Sequence, residues 1–234
     1  MKGEEVVSYL EGLSDPVIAK NSRRFFKTAK GEYGYGDIFL GIRVPVIREA
    51  VKKYKELKLS EVTKLLKSKY HEIRLFALLV LVYKFKNENV EGQEKIYNLY
   101  MKHRKYINNW DLVDSSAPYI VGAWLCNRDK TILYELAVSN RLWERRISIL
   151  ATSFFISKDH FNDTLKISSI LLNDNEDLIH KAVGWMLREV GKKNRLVEEK
   201  YLRSRYKKMP RTMLRYAIEK FEPERRRGYL RGQI

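Results

Sequence analysis

The chain has 234 residues, 44% of them hydrophobic, and its 46 Lys and Arg against 29 Asp and Glu give a formal charge of +17. This composition is that of an ordinary globular protein and argues against disorder, and the length allows one elongated domain or two small ones around a substantial core. So large a positive excess repels itself without a polyanion to bind, so nucleic acid is the first partner expected and an anionic membrane surface the weaker one.

In chain order, the first turn signal is Leu13-Ser14-Asp15-Pro16. Residues 31–41 then form the one glycine-dense stretch, with Tyr33 and Tyr35 interleaved. It lacks the G-x-x-x-x-G-K-[ST] pattern of a phosphate-cradling loop. It reads as a long connection to Pro45, with a helix beginning near Val46. Beyond it the periodicity is helical almost throughout, and no alternating strand pattern stands out. The chain also repeats itself. Glu72-Ile73-Arg74-Leu75-Phe76 corresponds to Glu144-Arg145-Arg146-Ile147-Ser148, to Ile179-His180-Lys181-Ala182-Val183, and to Met209-Pro210-Arg211-Thr212-Met213. Each follows a short helix and a polar turn, which predicts helical hairpins of about 30 to 40 residues. The fold expected is therefore all-α: an α-solenoid that presents the second helix of each pair to a concave basic face. We expect one domain, with N-terminal helices over about residues 1–56, repeats over about 57–222 and a basic tail over about 223–234.

One slot of the repeat holds a cation each time: Arg74, Arg146, Lys181 and Arg211. Such a stripe would track the phosphates of a duplex. In the helical unit between Arg74 and Arg146 the same slot holds Asp114. An acid in a row of bases is either a dispensable surface residue or a carboxylate set against nucleic acid for chemistry.

The run Asn109-Trp110-Asp111-Leu112-Val113-Asp114-Ser115 sharpens that choice. At about 100° per residue, Trp110 lies within about 40° of Asp114. Leu112, Ser116, Tyr119, Ile120 and Ala123 cluster on the opposite, core-facing side. Pro118 cannot donate to the carbonyl of residue 114, so the helix kinks or restarts there. The bland alternative is an N-capping Asp beside a half-buried Trp. Over residues 179–190, Ala182, Val183, Met186, Leu187 and Val190 make a continuous apolar face. Trp185 lies about 130° from its centre, next to Lys181 and Arg188. That placement suits stacking on a base or sugar with cations on phosphate, and the competing reading packs this Trp beneath a neighbouring helix. Trp124 and Trp143 read as packing residues.

Metal chemistry finds no support. Cys126 is the only cysteine, and His71, His103, His160 and His180 lack metal-ligand spacing, so no metal or other cofactor is expected. The longest apolar run, residues 75–83, is far short of the roughly 18 residues of a membrane span. Glu4 and Glu5 stand where a secretory signal carries positive charge, so a cytoplasmic protein is expected.

These residues resemble the AlkD-like DNA alkylation repair glycosylases, built from HEAT-like helical repeats. The resemblance runs from Phe39-Leu40-Gly41-Ile42-Arg43-Val44-Pro45 to the last helices. It is carried by Trp110-Asp111-Leu112-Val113-Asp114-Ser115, Leu142-Trp143-Glu144-Arg145-Arg146 and Lys181-Ala182-Val183-Gly184-Trp185-Met186-Leu187-Arg188-Glu189. It implies that Asp114 is the catalytic carboxylate, that Trp110 and Trp185 are aromatic walls at the lesion, and that Arg146 contacts DNA. Arg74, Lys181, Arg188 and Arg211 join it as expected DNA contacts. Two departures lie near the N-terminus: a longer Gly- and Tyr-rich segment, and Arg43 where AlkD has a neutral residue.

The implied reaction is hydrolysis of the N-glycosidic bond of cationic purines, of 3-methyladenine or 7-methylguanine type, in double-stranded DNA. A cationic base is already a good leaving group, so the enzyme's task is to stabilise the sugar cation and orient water. No lysine nucleophile is implied, so strand cleavage is not expected, and the protein is expected to act as a monomer. The alternative is a non-catalytic helical-repeat module that binds branched or damaged DNA. More distant is a scaffold whose basic face meets an acidic protein.

Overall fold

The computed structural model describes residues 2–234, which divide into two compact units, one up to Ile120 and the other Val121–Ile234. The architecture is all-α, and among the described residues the only β pairing is an isolated bridge between Ile38 and Tyr70.

The first unit contains α1 (Gly3–Glu11), α2 (Pro16–Phe25), α3 (Val44–Tyr54), α4 (Leu59–Leu66), α5 (His71–Asn87), α6 (Val90–His103) and α7 (Trp110–Asp114). The turn at residues 13–16 starts α2 as its residues suggest. Asp15 caps it, accepting from Val17 N at 2.8 Å and Ile18 N at 3.0 Å, with Pro16 in the first turn where no N–H is needed. Helix α5 is buried on every side over residues 71–81 and forms the centre of the unit, with α3, α4, α6 and α7 packed on it. The Gly/Tyr segment is a loop, and α3 begins at Val44 with Pro45 in its first turn. Gly41 closes that loop at φ +85°, where a Cβ would lie 2.1 Å from the Asp15 carbonyl oxygen, so only glycine fits.

The second unit contains α8 (Ala123–Leu125), α9 (Thr131–Ala137), α10 (Leu142–Ser157), α11 (Asn162–Ile170), α12 (Asp177–Lys193), α13 (Arg195–Arg203), α14 (Arg211–Ala217) and α15 (Pro223–Arg231). Here the repeat inferred from sequence is plain. Hairpins α9/α10, α11/α12 and α13/α14 follow one another, and their second helices pack in succession, α10 on α12 and α12 on α14. Gly184 sets the last of these contacts. A Cβ there would sit 2.4 Å from the Met213 carbonyl oxygen and 2.5 Å from Tyr216 Cβ, so the two helices meet backbone to backbone.

One face assignment needs correction. Tyr119, expected with the core residues Leu112, Ser116 and Ile120, is 55% exposed. Helix α7 stops at Asp114, and residues Pro118–Gly122 form a π-helical turn, so a single helical phase does not extend through Pro118.

Candidate active site

Helix α7 is five residues long, too short to persist alone, and its neighbours hold it in place. Buried Asn109 is its N-cap, with its Oδ1 accepting from Trp110 N at 2.9 Å and its Nδ2 donating to Asp37 Oδ2 at 3.1 Å. Leu112 and Val113 are buried, whereas Trp110, Asp111 and Asp114 are half-buried. Asp114 is thus the last residue of α7. It stands one turn from Trp110, as the spacing requires. Beneath it, burial and the Asp114 charge hold the Tyr100 phenol well above its ordinary range, and this hydroxyl meets Ser116 Oγ at 3.0 Å.

Trp110 belongs to an aromatic cluster that sequence periodicity does not reveal. Its indole stacks on Phe26 at 5.3 Å and 19°, and meets the edge of Phe25 at 5.9 Å and 71°. Phe26 in turn stacks on Phe39 at 5.0 Å. Phe25 is 65% exposed, costly for so large an apolar side chain unless something covers it. The adjacent Phe25-Phe26 pair after Arg23 and Arg24 was the available signal.

A buried polar cluster lies behind α7. His71 Nδ1 meets Asp37 Oδ2 at 3.0 Å, and its Nε2 meets Asp111 Oδ2 at 2.8 Å. Asp37 Oδ1 also accepts from Arg74 Nη2 at 2.6 Å and from Asn108 Nδ2 at 3.1 Å. Burial opposes the charge on Asp37, but the hydrogen bond from His71 and the Arg74 charge outweigh it and lower its pKa to about 2. Burial likewise disfavours the His71 cation, yet the charge of Asp111 and hydrogen bonds to both carboxylates raise its pKa to about 9. Next to it, Glu72 accepts the backbone N–H groups of Leu40 at 2.9 Å, Gly41 at 2.8 Å and Ile42 at 3.3 Å. The Gly/Tyr loop is therefore an anchor that delivers Asp37 to the start of α5.

This cluster corrects the basic stripe at Arg74. Only 4% of that residue is exposed, and its guanidinium holds Asp37 and the Ser68 and Lys69 carbonyls, so it is a structural cation with no surface for phosphate. Exposed Lys69 and Lys105 stand nearby, lining with Tyr35, Tyr106 and Asn108 an open cavity of about 220 Å³.

In the second unit, Ala182, Val183, Met186, Leu187 and Val190 are buried, and Trp185 is half-buried on another side of α12, as the sequence suggests. The Trp185 indole N–H donates to Glu189 Oε1 at 3.1 Å, which fixes the ring along the helix. Arg188 pairs with Glu189 and Glu219, and Lys181 with Asp177 at 2.8 Å. Arg146 is buried, its Nη1 donating to the Leu178 carbonyl at 2.5 Å, while Arg211 is exposed and donates to the Leu230 carbonyl at 2.6 Å. Trp124 is buried beneath the Arg128 guanidinium, in keeping with a packing role.

A helical fold that sets a carboxylate one turn from an indole and carries a large positive charge suits a polyanionic partner. The profile of the DNA alkylation repair enzyme family matches residues 6–221, and the chain belongs to that family. Among solved structures, a predicted DNA alkylation repair enzyme from Enterococcus faecalis shares the fold, with a TM-score of 0.70 over 90% of this chain and 97% of that one at 18% identity. No curated protein matches the sequence.

Proposed function

We propose that this member of the DNA alkylation repair family is a monofunctional glycosylase that hydrolyses the N-glycosidic bond of cationic alkylated purines, of 3-methyladenine or 7-methylguanine type, in duplex DNA. The observation that carries the reading is the half-buried Asp114 carboxylate at the end of α7, one turn from the half-buried Trp110 indole. A DNA-binding surface has no use for a carboxylate there, since phosphate repels it.

As the bond between the sugar C1′ and the base nitrogen breaks, its electron pair leaves with the base and neutralises the purine cation. Positive charge passes to the sugar, where the Asp114 carboxylate stabilises it. Water then adds to C1′ and gives up a proton, which the same carboxylate is suited to accept. Trp110 lends its π face to the cationic nucleotide, and Trp185 has the same role by the family resemblance. Lys181, Arg188 and Arg211 contact phosphates, and Lys69 and Lys105 stand in place of the buried Arg74; Arg146, which the family resemblance adds, is 5% exposed and reaches DNA only if its side chain leaves the Leu178 carbonyl.

The experiment is incubation with methylated duplex DNA and chromatography of the released bases. Wild type is expected to release 7-methylguanine, and Asp114→Asn to release none while binding duplex equally or more tightly. Undiminished release by folded Asp114→Asn sinks the catalytic assignment. Tight binding by wild type with no base release favours the non-catalytic module.

A further inference from the structure

His71 is 1% exposed, and both of its ring nitrogens face carboxylates, Asp37 at 3.0 Å and Asp111 at 2.8 Å. Ionised carboxylates only accept, so both contacts are hydrogen bonds only when the ring carries two protons. Phe39 stacks on the ring at 4.5 Å, and Phe26 lies tilted against it at 4.9 Å. Three elements thereby meet on one side chain: the Gly/Tyr loop through Asp37, α5 through His71 itself, and α7 through Asp111. Asn109 adds a second tie from the N-cap of α7 to Asp37.

Asp111 lies one turn before Asp114, so the two carboxylates of this short helix repel each other unless one is compensated. Around the cluster, Asp37 and Asp111 are balanced by His71 and Arg74, with Asn108 and Asn109 as neutral donors. Without the ring's charge, the half-buried Asp111 carboxylate stands uncompensated, and its easiest relief is movement of α7 towards water.

We propose that His71, bridging Asp37 and Asp111, is a positioning residue that holds α7 in the register presenting Asp114 to the sugar. The inference rests on the glycosylase reading of Asp114. His71 does not touch DNA; it acts through Asp111.

The test compares wild type, His71→Gln, Asp111→Asn and the double variant in single-turnover release of 7-methylguanine at saturating duplex, with Kd measured separately. His71→Gln is expected to lower the rate constant per folded molecule by roughly 100-fold, the scale of about 1 Å of misplacement, with Kd nearly unchanged. The double variant, which removes both charges, is expected to recover part of that loss, so the two effects are not additive. If His71→Gln does not fold, the isosteric Asp111→Asn carries the same comparison. Nitrogen-15 shifts of the His71 ring give a readout independent of activity: both nitrogens protonated at pH 8 in wild type, and not in Asp111→Asn. A neutral ring at pH 8, or a wild-type rate in the folded variants, overturns the clamp while leaving the glycosylase reading intact. No base release by wild type overturns both.

Discussion

The Trp110 indole and the Phe26 ring lie nearly parallel, 5.3 Å apart with 19° between their planes. A side chain that local spacing places away from the helix core thus rests on an aromatic neighbour at the C-cap of α2. One of its faces is committed to packing, and the ring as a whole stays half-buried.

That geometry sets the expected cost of Trp110→Ala. Aromatic pairs of this kind contribute about 0.5–1.5 kcal/mol beyond area burial, and a half-buried ring adds less transfer energy than a buried one. The variant should lose about 1–3 kcal/mol in denaturant unfolding, below the 3–5 kcal/mol typical of a fully buried aromatic. Its excision per folded molecule should fall further than this loss of stability implies. Wild-type excision by the folded variant would make Trp110 a packing residue only.

The cations separate into two kinds. Lys181→Ala and Arg211→Ala should each reduce the slope of log affinity against log salt by about one, for damaged and undamaged duplex alike. Arg74→Ala should instead leave Asp37 buried without its guanidinium and destabilise the fold by about 3–5 kcal/mol, with no change of slope in whatever remains folded. A reduced slope in Arg74→Ala would return that residue to the DNA surface.

Local periodicity reads what local geometry decides. The apolar face of α12, the succession of hairpins and the common side shared by Trp110 and Asp114 follow from spacing along single helices. The Asp37–His71–Asp111 bridge joins residues 34 and 40 positions apart, and no periodicity reports such a pairing. The same blindness explains Arg74. Its slot in the repeat predicts a surface cation, but its partner sits 37 positions earlier in a loop whose path the sequence does not disclose. Tyr119 is exposed for a different reason: no single helical phase extends past Pro118, where the backbone changes pitch.

Gly184 tests the packing inside the second unit. An added Cβ meets backbone atoms of α14, which cannot swing aside as a flexible side chain does. Gly184→Ala should therefore destabilise by about 1–3 kcal/mol, the usual range for overpacking, although alanine is the better helix former. Because Trp185 is the next residue, excision should fall as well. A variant that melts at or above the wild-type temperature would mean that α12 and α14 separate without penalty.

The buried cluster gives stability a defined pH window. His71 is raised from 6.5 to about 9, so its contribution is complete below about pH 6.5 and is lost as pH rises through about 9. Asp37 is lowered from 3.8 to about 2, so its contribution is present above about pH 3.8 and is lost as pH falls through about 2. Both operate together between these limits. Other groups titrate at the extremes, so the measurement is the difference between wild type and His71→Gln in urea unfolding from pH 5 to pH 10. The wild-type advantage should be constant up to about pH 6.5, then shrink steadily towards pH 9 and beyond. An advantage that stays flat across that span would mean that the ring in folded protein gives up its proton no differently from a ring in water, and that the two carboxylates do not hold it.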